Sequence, residues 1–497
     1  MKKFVLISIL TFLFNSLFAN NLQIVDLKKI SSNEVEFTIS WNNSWFTQSA
    51  PFNYDAVWVF FKLKTQNTGY QSVRVSENKL NIEIVNNPSL AIEQVDDAAG
   101  FFVKNVGLNS GNIANTVIRC KINTDLPETN FILKVFGIEM VYVPEGEFLV
   151  GDGISQQSFG NNKGEPFKIT SENSIKTGTS DVELKENDIY GPTYELPADY
   201  PKGFAAFYCM KYEISQKQYA DFLNCLPFAA QQNRITVSAD LPSGTFALAQ
   251  ADNNFRNGII ILKPGNEQMP AQFACNLDIS NEPNSENDGE HIACNFLNWP
   301  DVSSYLEWAC LRPLTELEFE KAARGANNIP VKGEFAWGTA QIIDANTILN
   351  YGKANETITE TATELAGIAN HGYLGIMGPL RCGFATSATS HRLQAGASYY
   401  GVMELSGNLW EQVVGTLPEG IQFKRITGTG TLSSTGNHLQ NYWPDWKTAG
   451  GACYRGGSWN SGIYAPGEFR DLAISDRFYA NLAPELRRNT SGGRGAR

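Results

Sequence analysis

The sequence predicts an α+β protein, in which an all-β sandwich domain precedes a larger α/β domain with much irregular structure. A chain of 497 residues is too long for one ordinary hydrophobic core, so two domains are expected. Short apolar segments with polar turns between them fill residues 20–136. Residues 137–497 hold a few helical patterns among glycine-rich loops, which does not fit a doubly wound fold.

Residues 1–19 have the composition of an export signal. Lys2 and Lys3 precede an almost unbroken apolar run over residues 4–14, and Ala19 offers a small residue for cleavage. A run of that length covers only about half of a bilayer core of roughly 30 Å, so a transmembrane anchor is disfavoured. We therefore expect an exported chain that starts near Asn20, does not span the membrane, and resides in the periplasm, on the outer-membrane surface or outside the cell.

The strands of the N-terminal domain are read from their periodicity. Residues 35–41 alternate with period two, as a half-buried strand does, and residues 56–63 are apolar enough for a central strand. Residues 72–75 and 117–122 add short strands, and Asn- and Gly-rich stretches separate them. The pattern is typical of an immunoglobulin-like sandwich that serves as a spacer or docking module.

The junction between the domains carries no flexible linker. Residues 131–136 run directly into the strand pattern of residues 140–148, without an intervening Pro- or Ser-rich stretch. We place the boundary between residues 136 and 137 and expect the two domains to pack against each other.

Helix starts in the second domain are marked by capping residues. Ser215 is a predicted N-cap for the segment that follows it, and Thr315 with Glu318 forms a capping box for a helix ending at Gly325. Residues 301–310 carry a third helical pattern.

Charge and cysteine content limit the possible partners. The net charge of −12, without a Lys/Arg stripe, argues against nucleic-acid binding. The eight cysteines show no C-x-x-C pair, so both disulfides and buried free thiols remain possible in an exported chain.

Six ordered motifs in the second domain resemble one family. They occupy residues 207–215, 312–325, 335–338, 401–411, 455–459 and 492–494. Together they are similar to the formylglycine-generating enzymes, also called sulfatase-modifying factors. The resemblance implies a C-type-lectin-like α/β fold with little regular secondary structure over residues 137–497.

The same resemblance implies an oxidase site that this chain lacks. Aerobic members bind copper through two cysteine thiolates and convert a substrate cysteine to an aldehyde. The corresponding positions hold Ser461 and Pro466, and a hydroxyl is a poor ligand for Cu(I). A relocated pair would require Cys382 and Cys453 to meet beside Ser458.

Iron chemistry, which other relatives perform with several histidines, is also not expected. The four histidines show no H-x-x-x-H or facial-triad spacing. We therefore assign no catalytic residue and expect neither copper nor iron.

A structural calcium site is implied by the turn over residues 401–411. In the family this turn supplies side-chain and carbonyl oxygens, which here are those of Glu404, Gly407, Leu409 and Glu411. Crowded oxygen donors suit calcium. A second site would begin near Asn350. The alternative is that both glutamates face solvent or pair with arginines.

The family's substrate groove corresponds to the last motif. Its polar and aromatic candidates here are Arg455, Ser458, Trp459, Asn460 and Ser461. Buried arginines in loop-rich domains also serve purely structural roles, and a tryptophan at position 459 favours a core anchor over a ligand platform.

These observations leave two alternative interpretations of the protein's function. The first is an exported cell-envelope protein without oxidase activity, which acts in binding or as a structural component and contacts an envelope protein or glycan. The alternative is a metal-dependent oxidase of the formylglycine-generating class with relocated ligands.

Overall fold

A computed structural model of the protein describes residues 21–66, 68–107, 109–186, 194–248, 255–326, 328–372, 375–387, 389–462 and 470–497. The predicted export signal and Pro466 lie outside these residues. Across the described part of the chain, no helix is both long and apolar enough to cross a membrane. With 31% of residues in strands and 9% in helices, the predicted α+β class is confirmed.

The N-terminal part contributes nine strands: β1 (Gln23–Lys29), β2 (Glu34–Trp45), β3 (Asp55–Thr65), β4 (Gln71–Val73), β5 (Ile82–Ile84), β6 (Leu90–Gln94), β7 (Phe101–Asn105), β8 (Ser110–Lys121) and β9 (Phe131–Val143).

The remainder is built from shorter strands: β10 (Phe148–Val150), β11 (Phe159–Gly160), β12 (Phe167–Ile169), β13 (Ile175–Lys176), β14 (Lys185–Glu186), β15 (Glu195–Leu196), β16 (Phe207–Met210), β17 (Ile259–Lys263), β18 (Gln272–Cys275), β19 (Arg312–Pro313), β20 (Gln341–Asp344), β21 (Ile348–Leu349), β22 (Thr357–Ile358), β23 (Ala366–Ala369), β24 (Trp410–Val414), β25 (Ala452–Arg455), β26 (Ser491–Gly492) and β27 (Gly495–Ala496). Four helices accompany them: α1 (Gln216–Leu223), α2 (Phe228–Arg234), α3 (Trp299–Trp308) and α4 (Glu316–Arg324).

Strand β9 connects the two parts of the chain within one sheet. It pairs with β3 along the whole of that strand, from Asp55 opposite Val141 to Thr65 opposite Phe131. Its last residues pair with β16, and the sheet continues in the order β19-β27-β16-β9-β3-β7-β6. The boundary predicted between residues 136 and 137 therefore lies inside a strand, and the sheet does not stop there.

Strand β3 is central, as its apolar sequence predicts. Val57, Val59 and Phe61 face a cluster shared with the four-stranded antiparallel sheet β1-β2-β8-β5. Trp58 and Phe60 face the other way, into the cluster that holds α1 and α3. Both faces of the strand are buried, which explains its nearly continuous apolar run.

The predicted helices form where their caps indicate. Ser215 and Gln218 make a capping box at α1, and Thr315 and Glu318 make one at α4. Helix α3 starts two residues before the predicted segment because Asn298 and Asp301 form a further capping box. Helix α2 was not predicted; no side chain caps its start.

Candidate functional site

Arg455, at the end of β25, lies in a buried charge network rather than on a surface. Its guanidinium is 3.2 Å from the carboxylate of Glu316 and 2.9 Å from that of Glu320, both on α4. Arg477 pairs with the same Glu316 at 2.9 Å. Because Arg455 is completely buried, its geometry matches the structural role that the sequence left open.

The next residues form one compact turn. The Ser458 backbone N–H donates to Ser461 Oγ at 3.0 Å, and Ser458 Oγ donates to Asn460 Oδ1 at 2.7 Å. Ser461 Oγ in turn donates to the Asp471 carboxylate at 2.6 Å. The structure thus brings Ser458, Asn460 and Ser461 together, and it adds Asp471, which sequence reasoning missed.

Trp459 points away from this turn into the protein interior. Its indole N–H donates to the Asn489 carbonyl at 2.9 Å, and the residue is 1% exposed. It packs in a hydrophobic cluster with Tyr212 and Cys382. The side chain is therefore a core anchor in this structure.

All eight cysteines are buried. Cys382 packs beside Trp459, whereas Cys453 belongs to a different hydrophobic cluster that includes Phe319. Burial raises the pKa of the Cys382 thiol well above its ordinary value, which disfavours the thiolate that a copper ligand requires. Of the two states left open by the sequence, the buried free thiol is the one found for Cys382.

The turn over residues 404–411 is held in a strained backbone conformation. Glu404, Gly407 and Asn408 all have positive φ, at 55°, 90° and 64°. A Cβ on Gly407 would lie 2.7 Å from the Asn370 carbonyl oxygen, so only glycine fits there. The backbone N–H of Trp459 donates to the Asn408 carbonyl at 2.8 Å, which joins this turn to the one at Ser458.

Three buried glutamates converge next to this turn. Glu411, on β24, forms an ion pair of 2.6 Å with Arg494, which is the arginine pairing that the sequence left open. Glu213 accepts from the Leu409 backbone N–H at 3.0 Å and from the Asn408 side chain. Glu404 Oε1 accepts from the Gly383 N–H at 2.9 Å.

The electrostatics of this cluster disfavour the charged form of its glutamates when no cation is bound. Burial raises the pKa of Glu404 to about 7 and that of Glu213 well above its ordinary value, although Arg494 opposes both shifts. Within the described residues, neither Glu404 Oε2 nor the buried Tyr212 hydroxyl has a hydrogen-bond partner. An unpaired buried carboxylate oxygen in an acidic cluster is compatible with a bound cation.

The remaining predicted residue, Asn350, lies apart on an exposed loop. It follows β21, has a φ of 56°, and donates from its side chain to the Asn355 carbonyl at 3.2 Å. Its neighbour in that loop, Glu356, is buried and paired with Arg256. Glu213 was not predicted as a site residue, although it belongs to the motif at residues 207–215.

Among the residues that the structure describes, no three His, Cys, Asp or Glu side chains are grouped so as to hold a metal ion. Calcium sites that rely on carbonyl oxygens need fewer such side chains.

A known protein family matches the part of the chain that contains the six motifs. The family described as a sulfatase-modifying factor enzyme 1-like domain matches residues 137–497. No curated protein matches the chain significantly. The family match covers well over half of the sequence, and the chain therefore belongs to the sulfatase-modifying factor family.

Proposed function

We propose that this protein is an exported, non-oxidase member of its family that acts as a binding or structural component of the cell envelope. One observation carries the proposal: the family's first copper-ligating position is Ser461, and its hydroxyl donates to Asp471. The side chain is a neutral oxygen donor within a hydrogen-bonded turn, whereas Cu(I) requires soft thiolates.

The turn at Ser458 and Asn460 is the proposed recognition surface for an envelope protein or glycan. Asn460 is only partly buried, and it lies next to the fully buried Ser458. Ser458 orients Asn460 through its hydroxyl, and the partly exposed Asn460 amide suits an uncharged polar partner. The N-terminal strands add a second surface fixed to the first through β9, so both would engage a partner in one orientation.

We further propose that calcium stabilises the turn at residues 404–411. Glu404 and Glu411 would supply carboxylate oxygens, and Gly407 and Leu409 would supply carbonyl oxygens. The unpartnered Glu404 Oε2 supports this set. Glu411 already faces Arg494, so a bound ion would have to share its carboxylate with that arginine.

Metal analysis of the purified mature protein tests both proposals. We expect bound calcium without stoichiometric copper or iron. Because Glu404 makes no ion pair in the described structure, the Glu404→Gln variant should lose that calcium and keep its fold. Tight copper bound through thiols would contradict the non-oxidase proposal and would favour an oxidase with relocated ligands.

A further inference from the structure

A second acidic site lies in the loop that follows β18, outside the turn at residues 404–411 and the turn at Ser458. Residues 276–288 contain Asp278 and Asp288, together with six Asn and Ser residues. The Leu277 backbone N–H donates to the Asp288 carbonyl at 3.3 Å, which brings Asp278 next to Asp288, and the two carboxyl groups interact directly. Two carboxylates in direct contact repel each other unless a proton or a cation lies between them.

Asp288 is the buried member of the pair. The residue is 1% exposed, and its Oδ2 accepts from the Ser285 backbone N–H at 2.6 Å. Its other oxygen, Oδ1, is buried and has no hydrogen-bond partner in the described part of the chain. A buried carboxylate oxygen without a donor is costly, so this atom requires a ligand.

Asp278 approaches from the solvent side of the loop. Its Oδ1 accepts from the Ser280 N–H at 2.9 Å, and its Oδ2 accepts from the Asn287 amide at 2.7 Å. These contacts hold the Asp278 carboxylate in one orientation within the loop. An ion arriving from solvent would therefore meet a carboxylate that is already oriented.

No protein cation neutralises the pair in the contacts of the described loop. The nearby Lys353 is paired with Glu286 at 2.6 Å, on an exposed part of the same segment. Glu282 and Glu290 add further negative charge along the loop. The local field favours a divalent cation over a second anion or a neutral ligand.

We propose that Asp278 and Asp288 bind a calcium ion, separate from the one assigned to the turn at residues 404–411. Calcium accepts six to eight oxygen ligands in irregular geometry, and these include side-chain amides, backbone carbonyls and water. The Asn- and Ser-rich loop offers such oxygens. Magnesium demands a nearly regular octahedron and is a poorer match to a single flexible loop.

Calcium binding to the full mature chain, combined with hydrogen exchange, tests this site. With millimolar calcium chloride, peptides covering residues 276–288 should exchange more slowly in the native protein. Asp288→Asn keeps the size of the side chain and an acceptor for the Ser285 N–H, and it should weaken calcium at this loop by at least about tenfold. Asp278→Asn, at an exposed position, should do the same without any risk to folding.

Two controls separate this site from the other. Glu286→Gln removes an exposed acid from the same loop and should leave the calcium effect unchanged. Glu404→Gln should abolish calcium at the other turn while the loop at residues 276–288 stays protected. The proposal would be overturned if hydrogen exchange of the loop in the native protein did not depend on calcium. It would also be overturned if calcium protected the loop equally in both aspartate variants. In either case a proton, not calcium, would bridge the two carboxyl groups.

Discussion

Ser461 and Arg455, two of the residues predicted to line a binding groove, are both held by polar contacts within the protein. Ser461 sits in a turn whose hydrogen bonds to Ser458 and Asp471 are complete without a metal. Arg455 is held by Glu316 and Glu320 on α4. The region around these two residues is thus maintained by its own polar contacts.

Replacing Glu411 tests the buried ion pair with Arg494. Glu411→Gln leaves the guanidinium in the interior with only carbonyl partners, such as Met403 at 2.7 Å. Removing one partner of a buried pair costs about 3–5 kcal/mol, so the variant should unfold at lower denaturant concentration even in the presence of a chelator. Unchanged stability in chelator would mean that the pair does not hold β24 to the C-terminus.

Asp476 predicts a pH dependence of stability. Burial raises its pKa from 3.8 to about 7, although the Phe478 N–H favours the charged form. Between about pH 4 and 7 the native state keeps a proton that the unfolded chain has released, so this residue lowers stability as the pH rises through that window.

The variant Asp476→Asn should remove that contribution. At pH 4 the free energy of unfolding of the variant should equal that of the native protein. At pH 8 it should exceed the native value by at most about 4 kcal/mol. Chemical denaturation at both pH values measures this. An equal difference at the two pH values would show that Asp476 titrates normally.

The sequence predicted contacts between residues close together in the chain, such as helix caps. It did not predict contacts between side chains that lie far apart in the chain. The capping box of Thr315 and Glu318 spans three residues, so its geometry follows from the sequence alone. The carboxylate partners of Arg455 and the side-chain partner of Glu213 lie more than one hundred residues away. Only the folded chain reveals that Glu213 joins Glu404 and Glu411.

At the scale of elements, β3 and β9 bind the N-terminal strands to the family domain. Trp58 on β3 donates from its indole N–H to the Ala309 carbonyl, just after α3, at 2.9 Å. Lys62 on the same strand donates to the Trp308 and Gly430 carbonyls at 2.6 and 3.0 Å. These contacts extend the core of the family domain into the N-terminal region.

A single truncation on β3 should therefore destabilise the family domain. Trp58→Ala removes a fully buried indole and should cost about 3–5 kcal/mol. Tryptophan fluorescence of unfolding measures the loss, and Leu80→Ala, at an 89% exposed position, is the matched control. Equal stability of the two variants would show that β3 is dispensable for the family domain.

The strand pattern predicted a central β3 and a junction without a linker, but it did not reveal the shared sheet. Period-two alternation identifies strands and their faces, yet it contains no information about which strands pair. The long register between β3 and β9, and its continuation into β16, arises from tertiary contacts. Helix α2 was not predicted because no side chain caps its start at Pro227.

The whole molecule should behave as one cooperative unit. Lys211 joins the two parts, since its ammonium lies 3.0 Å from Glu139 on β9 and 3.4 Å from Asp55 on β3, all of them buried. We expect one calorimetric transition for the mature chain, with equal calorimetric and van't Hoff enthalpies. Two separate transitions would mean that the N-terminal strands unfold independently.

Copper-dependent oxidation of a peptide tests directly whether this protein lacks the oxidase activity of its family. A peptide carrying Cys-x-Pro-x-Arg is incubated in air with the copper-supplemented mature protein, with an active oxidase of the family as the positive control, and analysed by mass spectrometry. We predict that the peptide cysteine stays unmodified, because Ser461 provides no thiolate at the groove. An aldehyde formed at that cysteine above the protein-free background would contradict the claim.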